Sequence, residues 1–189
     1  MRLILVRHPK PLGAAGLCYG RLDIPCDPFA LDSAAARLFS LARDCLLVTS
    51  PAMRARCLAV RLSSQFIVEP RLQELDFGAW EGRLWQDLGR EAVEAWQQGL
   101  PASAPPGGET LDAMQARCAA WLASLRGGQD VLAITHAGPV RVLRAILGGA
   151  PLLTYFTETV PFAEPLTLEF KSQLPTIDKS NRDKKPQIG

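Results

Sequence analysis

The sequence predicts an α/β fold: a single-domain three-layer sandwich with a largely parallel sheet covered by helices on both faces. Three observations carry this reading. Short, continuously apolar runs at residues 3–6, 46–49 and 131–135 read as strands buried on both faces. The segments between them place apolar residues at helical spacing, so strands alternate with helices, as in parallel sheets joined by crossovers. A length of 189 residues, 48% hydrophobic and 21% charged, suits one well-buried core.

The elements follow in order. Leu3-Ile4-Leu5-Val6 ends abruptly at Arg7 and delivers Arg7 and His8 to the carboxyl edge of the sheet. A long loop through Gly13, Gly16, Gly20, Pro25 and Pro28 runs to Asp32, read as the N-cap of a helix carrying Ala35, Leu38, Phe39 and Ala42. After the strand Leu46-Leu47-Val48-Thr49, Ser50-Pro51 opens a helix whose Ala55, Leu58, Ala59 and Leu62 form an apolar stripe. Phe66-Ile67-Val68 is a short third strand. A helix is predicted around Trp85 to Trp96, then a Pro/Gly-rich loop from Pro101 to Gly108. The next helix, Leu111 to Leu125, turns Met114, Cys118, Trp121 and Leu122 inward. Val131-Leu132-Ala133-Ile134-Thr135 then delivers His136, and Gly138-Pro139 opens a helix in which proline suits the first turn. A last strand is placed at Leu166 to Phe170. Residues 1–170 make the domain, and 171–189 read as a polar, flexible tail with Pro175, Pro186 and no periodicity.

Composition narrows the function. No segment has the length of a membrane span, and the apolar run after Met1-Arg2 is too brief for a signal peptide. Five cysteines, an odd number without C-x-x-C spacing, fit free thiols in a reducing cytoplasm. The net charge is +2, but the tail holds five basic residues against Asp178 and Asp183, a surplus of +3 that leaves −1 for the body. The domain therefore lacks the basic patch of a nucleic-acid binder. The P-loop and dinucleotide glycine fingerprints are absent, and no H-E-x-x-H or carboxylate-rich spacing surrounds the histidines, so neither cofactor nor metal is expected. The sequence fixes no oligomeric state.

The chain has two histidines, His8 and His136, and both stand at strand ends, where open α/β sheets place their sites. Arg7, Arg54 and His136 can surround a tetrahedral anion, with helix starts after Thr49 and Thr135 adding backbone N–H groups. That set suits a phosphate, because arginine's planar fork grips two oxygens at once. His8 then reads as a nucleophile: neutral imidazole needs no base, and nearby guanidinium groups keep it neutral. The leaving oxygen needs a proton from an acid, with Glu74 the first candidate and Asp76 and Glu81 the alternatives. Arg7 and Arg54 have surface ion pairs as the rival reading to pocket roles, and Trp80, Trp85, Trp96 and Trp121 read as packing residues.

These motifs resemble the histidine phosphatase superfamily, also called phosphoglycerate mutase-like, over about residues 1 to 170. Arg7-His8 resembles the signature arginine and phosphorylated histidine, and Ser50-Pro51-Ala52-Met53-Arg54-Ala55 is similar to the helix start carrying the second pocket arginine. The stretch from Glu74 to Gly82 resembles the segment with the acid, placing that role on Glu74. Thr135-His136-Ala137-Gly138 resembles the motif of the phosphate-binding histidine, and Gly107-Gly108-Glu109-Thr110 the family's G-G-E-S turn. The resemblance implies a cofactor-independent phosphomonoesterase acting through a phosphohistidine, on a small-molecule substrate.

Within that family, Gly16-Leu17-Cys18-Tyr19-Gly20-Arg21-Leu22-Asp23-Ile24-Pro25 is similar to a loop of α-ribazole phosphatases of cobalamin assembly. Tyr19, Gly20, Asp23 and Ala137 become the substrate-binding candidates, although Tyr19 and Asp23 could instead hold the loop. Leu22 stands where that loop has threonine, Pro9 where glycine commonly follows the histidine, and Leu58 where the arginine helix often has threonine. Pro9 fixes φ and removes an N–H. A broad-specificity sugar-phosphate or nucleotide phosphatase, a phosphoglycerate mutase and a non-catalytic phospholigand-binding module remain as alternatives.

Overall fold

The computed structural model describes residues 1–170, so the tail at 171–189 lies outside the described residues. The chain begins with β1 (Arg2–Arg7), α1 (Pro28–Ala42), β2 (Leu46–Thr49), α2 (Met53–Leu62) and β3 (Ile67–Val68). Three short 3-10 turns, Pro70–Leu72, Gly78–Trp80 and Trp85–Asp87, precede α3 (Arg90–Gln98). Then come α4 (Leu111–Ser124), β4 (Val131–Thr135), α5 (Ala137–Gly148), a 3-10 turn at Leu152–Tyr155 and β5 (Pro165–Glu169). The sheet order is β3-β2-β4-β1-β5; β5 runs antiparallel along β1 and the other pairings are parallel.

Strand residues alternate between two cores. Leu3, Leu5, Val48, Val131 and Ala133 face α4 and α5, meeting Met114, Trp121, Val140 and Leu143. Ile4, Val6, Leu47, Leu132 and Ile134 face α1 and α2, meeting Leu31, Leu38, Ala55 and Leu58. Burial on both sides is why these strands carry no polar alternation. Leu58, the residue in place of a threonine, is fully buried in the second core. Among the described residues no helix is long and apolar enough to cross a membrane.

This topology creates the site. β1 and β4 are neighbours, yet the chain after β1 enters the α1/α2 layer and the chain after β4 enters the α4/α5 layer. Their carboxyl ends therefore flank a crevice at a topological switch point. Arg7 registers with Thr135, and the His8 N–H donates to the Thr135 carbonyl at 2.8 Å, which sets the two histidines side by side.

Two elements differ from the sequence reading. The first helix is capped by Asp27, not Asp32: Asp27 Oδ1 accepts the N–H groups of Phe29 at 2.9 Å and Ala30 at 3.2 Å. Pro28 follows it at the first helical position, where a fixed φ and a missing N–H do no harm. Asp32 sits a turn inside and pairs with Arg61. The helix expected over Trp85 to Trp96 is split, because Gly89 adopts φ +83° between the 3-10 turn and α3.

The cap assignment gives a stability prediction. Asp27→Ala should cost about 1 kcal/mol, whereas Asp32→Ala should cost under about 0.5 kcal/mol because it removes only an exposed ion pair. Urea midpoints of the two variants decide it; an equal or larger loss at Asp32 would contradict the assignment.

Candidate active site

His8 follows directly on β1 and is 2% exposed. Its Nδ1 lies 2.7 Å from the Pro9 carbonyl, which can only accept, so the proton is on Nδ1 and Nε2 carries a free lone pair. Pro9 thus orients the imidazole through its carbonyl, a role that needs no N–H. The ring is flanked by His136, edge-on with centroids 5.1 Å apart, and by Phe162 at 5.6 Å. Burial first, then the charges of Arg54 and Arg7, push its pKa down to about 3, with the Pro9 hydrogen bond opposing.

Arg54, in the first turn of α2, is fully buried. Its Nη1 donates to the Leu22 carbonyl at 2.8 Å, its Nη2 to the Gly20 carbonyl, and its Nε to His8 Nε2 at 3.3 Å. Arg7 donates from Nη1 to the Val160 carbonyl at 2.7 Å and lies 3.7 Å above the Phe162 ring. Neither forms a carboxylate ion pair among the described residues. Two guanidinium groups without a carboxylate among the described residues thus face one crevice.

His136 is fully buried, and burial foremost, then His8 and Arg54, holds its pKa well below the ordinary value. Ala137, the first residue of α5, is buried beside it, in the turn whose amides a helix leaves free. Among the described residues three buried side-chain nitrogens have no partner in the protein, and two of them, Arg7 Nε and His136 Nδ1, belong to this crevice. An oxyanion would satisfy Arg7 Nε, and His136 Nδ1 as well wherever that nitrogen carries the ring proton.

The three acidic candidates separate by what they hold. Glu74 is tied to the start of α5: its carboxylate accepts the Gly138 N–H at 3.1 and 3.2 Å and the Leu75 N–H at 3.1 Å. A Cβ at Gly138 would lie 2.1 Å from Glu74 Oε1, so glycine is required for this approach. Asp76 caps the Gly78 N–H at 2.8 Å and faces Arg21 at 3.3 Å. Glu81 accepts four amides, from Gly20 and Arg21 at 2.9 Å and from Leu22 and Phe77 at 3.0 Å. Of the three, only Glu74 joins the helix that begins at His136.

The Gly16–Pro25 loop is held from both edges. Glu81 takes its N–H groups and Arg54 its carbonyls, while a Cβ at Gly20 would sit 1.8 Å from the Leu75 carbonyl. Asp23 Oδ1 accepts the Met53 N–H at 2.7 Å, capping α2 where Ala52 cannot, a contact that ties the loop to the helix of Arg54. Tyr19 is half-buried, with its ring 5.2 Å from the Arg54 guanidinium. Trp80 and Trp96 pack edge-to-face at 5.6 Å, and Trp121 lies in the main core, so the tryptophans pack.

Sequence reasoning missed Arg117. It donates to the carbonyls of Arg71, Gln73 and Glu74 at 2.7, 2.7 and 3.1 Å and pairs with Glu109 at 2.7 Å, fixing the turn that carries Glu74. The available signal was Glu109 in the Gly107-Gly108-Glu109-Thr110 motif, which implied a cationic partner without saying which.

Burial of a neutral His8 makes stability pH-dependent. Above about 6.5 the imidazole is neutral folded or unfolded; below that, down to about 3, the unfolded chain binds a proton that the folded chain refuses. Stability should be fully present above the first value and be lost progressively towards the second. In urea titrations from about pH 7 to about pH 4, His8→Gln should show a shallower decline than the parent. Identical slopes would contradict the buried, neutral state.

Comparison with known proteins agrees with this geometry. The family model described as "Histidine phosphatase superfamily (branch 1)" matches residues 3–183. The chain is similar to an adenosylcobalamin/alpha-ribazole phosphatase of Escherichia coli, 28% identical over 80% of this chain and 81% of that one. Phosphoserine phosphatase 1 of Hydrogenobacter thermophilus is 26% identical over 83% of this chain and 81% of its own length. The crystal structure of the alpha-ribazole phosphatase from Shigella flexneri superposes with a TM-score of 0.81 at 26% identity, covering 90% of this chain and 91% of that one. With the family model spanning nearly the whole length, the chain belongs to the histidine phosphatase superfamily.

Proposed function

We propose that the protein is a phosphomonoesterase working through a phosphohistidine at His8, with α-ribazole 5′-phosphate as its substrate. The observation that carries the reaction is the Nε2 lone pair of His8, freed by the Pro9 carbonyl and set against Arg54 in a pocket of donors. Nε2 attacks phosphorus as the bond to the leaving oxygen breaks, and Arg7, Arg54 and His136 hold the three equatorial oxygens as charge spreads over them. Glu74 gives a carboxyl proton to the leaving alkoxide. Its carboxylate then takes a proton from water, which attacks phosphorus, breaks the P–N bond and releases phosphate while restoring His8. No cofactor enters the sequence of steps.

The substrate assignment rests on the Gly16–Pro25 loop. Its one cation, Arg21, is engaged by Asp76 at 3.3 Å and Glu109 at 3.5 Å, while Leu22 is 39% exposed and Tyr19 lies against Arg54. That mouth suits an apolar, aromatic leaving group better than a carboxylate, and the similarity to proteins named alpha-ribazole phosphatases supports it. The five cysteines are unpaired, which suits a reducing cytoplasm.

Phosphate release without added metal should favour α-ribazole 5′-phosphate over phosphoserine, 3-phosphoglycerate, nucleotides and sugar phosphates. His8→Ala should lose roughly a thousandfold or more in kcat, and acid quench of the parent should trap phosphate on His8. A fully active His8→Ala protein would overturn the mechanism, and equal rates on all substrates the substrate assignment. Glu74→Gln should lose roughly 10²–10⁴-fold on alkyl phosphates and far less on p-nitrophenyl phosphate, whose leaving group needs no proton. Equal losses on both would remove Glu74 from the acid role.

A further inference from the structure

Ser50 is fully buried at the end of β2, outside every step assigned above. Its Oγ lies 2.7 Å from His136 Nε2. It also accepts the Ala52 N–H at 3.4 Å, and among the described residues its own proton has no other acceptor than Nε2. Its backbone is fixed as well, the N–H by the Ile134 carbonyl at 2.9 Å and the carbonyl by Thr49 Oγ1 at 3.1 Å. A hydroxyl with one proton and one available acceptor has its orientation decided for it.

We infer that Ser50 is a positioning residue whose hydroxyl donates to His136 Nε2, forcing the ring proton onto Nδ1 and so making that nitrogen a donor to a phosphoryl oxygen. The inference deepens the phosphatase reading and rests on it for the identity of the anion. The independent observation is that Nδ1 is buried without a partner among the described residues, as is Arg7 Nε in the same crevice. Arg7 Nε is a donor in every state, so both atoms call for an acceptor if Nδ1 carries the proton. With the opposite tautomer the Ser50 proton would lose its acceptor, and the Nδ1 lone pair would oppose an oxyanion. Burial keeps the imidazole neutral, so the choice lies between two neutral tautomers and one neighbouring hydroxyl settles it.

Nitrogen-15 histidine NMR of the full chain reads the tautomer directly, and with only two histidines, His8→Gln identifies the remaining signals. The expected result is Nδ1–H at His136 in the parent and in Ser50→Thr, with a shift to Nε2–H or a mixture in Ser50→Ala. Inorganic phosphate should bind Ser50→Ala about 3- to 10-fold more weakly and Ser50→Thr nearly as well as the parent. Nε2–H at His136 in the parent, or an unchanged tautomer and phosphate affinity in Ser50→Ala, would overturn the inference. Loss of folding in Ser50→Ala would leave the parent and Ser50→Thr tautomers to decide the matter. Nδ1–H in a parent that binds no phosphate would instead count against the phosphatase reading and overturn the donor role, leaving only the Ser50 hydrogen bond.

Discussion

A guanidinium buried without a carboxylate partner among the described residues is the constraint on which this site depends. Arg54 is removed from solvent and held by two carbonyls and an imidazole lone pair, all neutral. Burial of the charge disfavours it, while Glu74, Tyr19, Asp23 and Glu81 favour it from a distance. The protein thus keeps a cation whose hydrogen bonds are satisfied but whose charge is not neutralised by contact. An oxyanion placed against it meets a group that has already been desolvated and oriented, which is how a fixed site stabilises charge with little reorganisation. Burial foremost, and then this same cation, keeps the adjacent imidazole unprotonated, so in the proposed mechanism one buried charge both attracts the phosphate and helps preserve the nucleophile.

The carboxylates around the pocket divide by the amides they accept. Asp23 caps α2 from a distant loop, Glu81 gathers the N–H groups of three consecutive loop residues, and Glu74 sits on the first turn of α5. The first two hold backbone that in turn holds Arg54. Glu74 differs in reaching a helix start that also follows His136, where both its oxygens accept the Gly138 N–H. Similar residues in similar local chemistry therefore do different work because of which backbone each one reaches.

What the sequence disclosed follows from how far apart the interacting residues are. The strands, the strand-end histidines and Arg54 lie in short patterns whose periodicity or motif is complete within a few residues. Asp32 was read as a cap because both it and Asp27 precede apolar helical spacing; Pro28, which marks the first helical position, was the feature that distinguished them. Gly89 breaks a helix that amphipathic spacing alone would continue, because spacing reports side-chain faces and not φ. The supporting contacts were illegible for a different reason: Glu81 meets Gly20 across 61 residues, Arg117 meets Glu74 across 43 and Ser50 meets His136 across 86. No local pattern encodes a pairing over such distances.

The departures from the family's pattern become intelligible once backbone and side-chain roles are separated. Pro9 lacks an N–H, but its carbonyl is what orients His8. Leu22 lacks a hydroxyl, but Arg54 holds its carbonyl and Glu81 its N–H, so its position does not depend on its side chain. A loop fixed through its peptide groups can change the side chain it offers to a leaving group without moving the arginine proposed to grip the phosphate. In the proposed mechanism substrate choice and phosphoryl chemistry are carried by different atoms of the same residues, so one can vary while the other is kept.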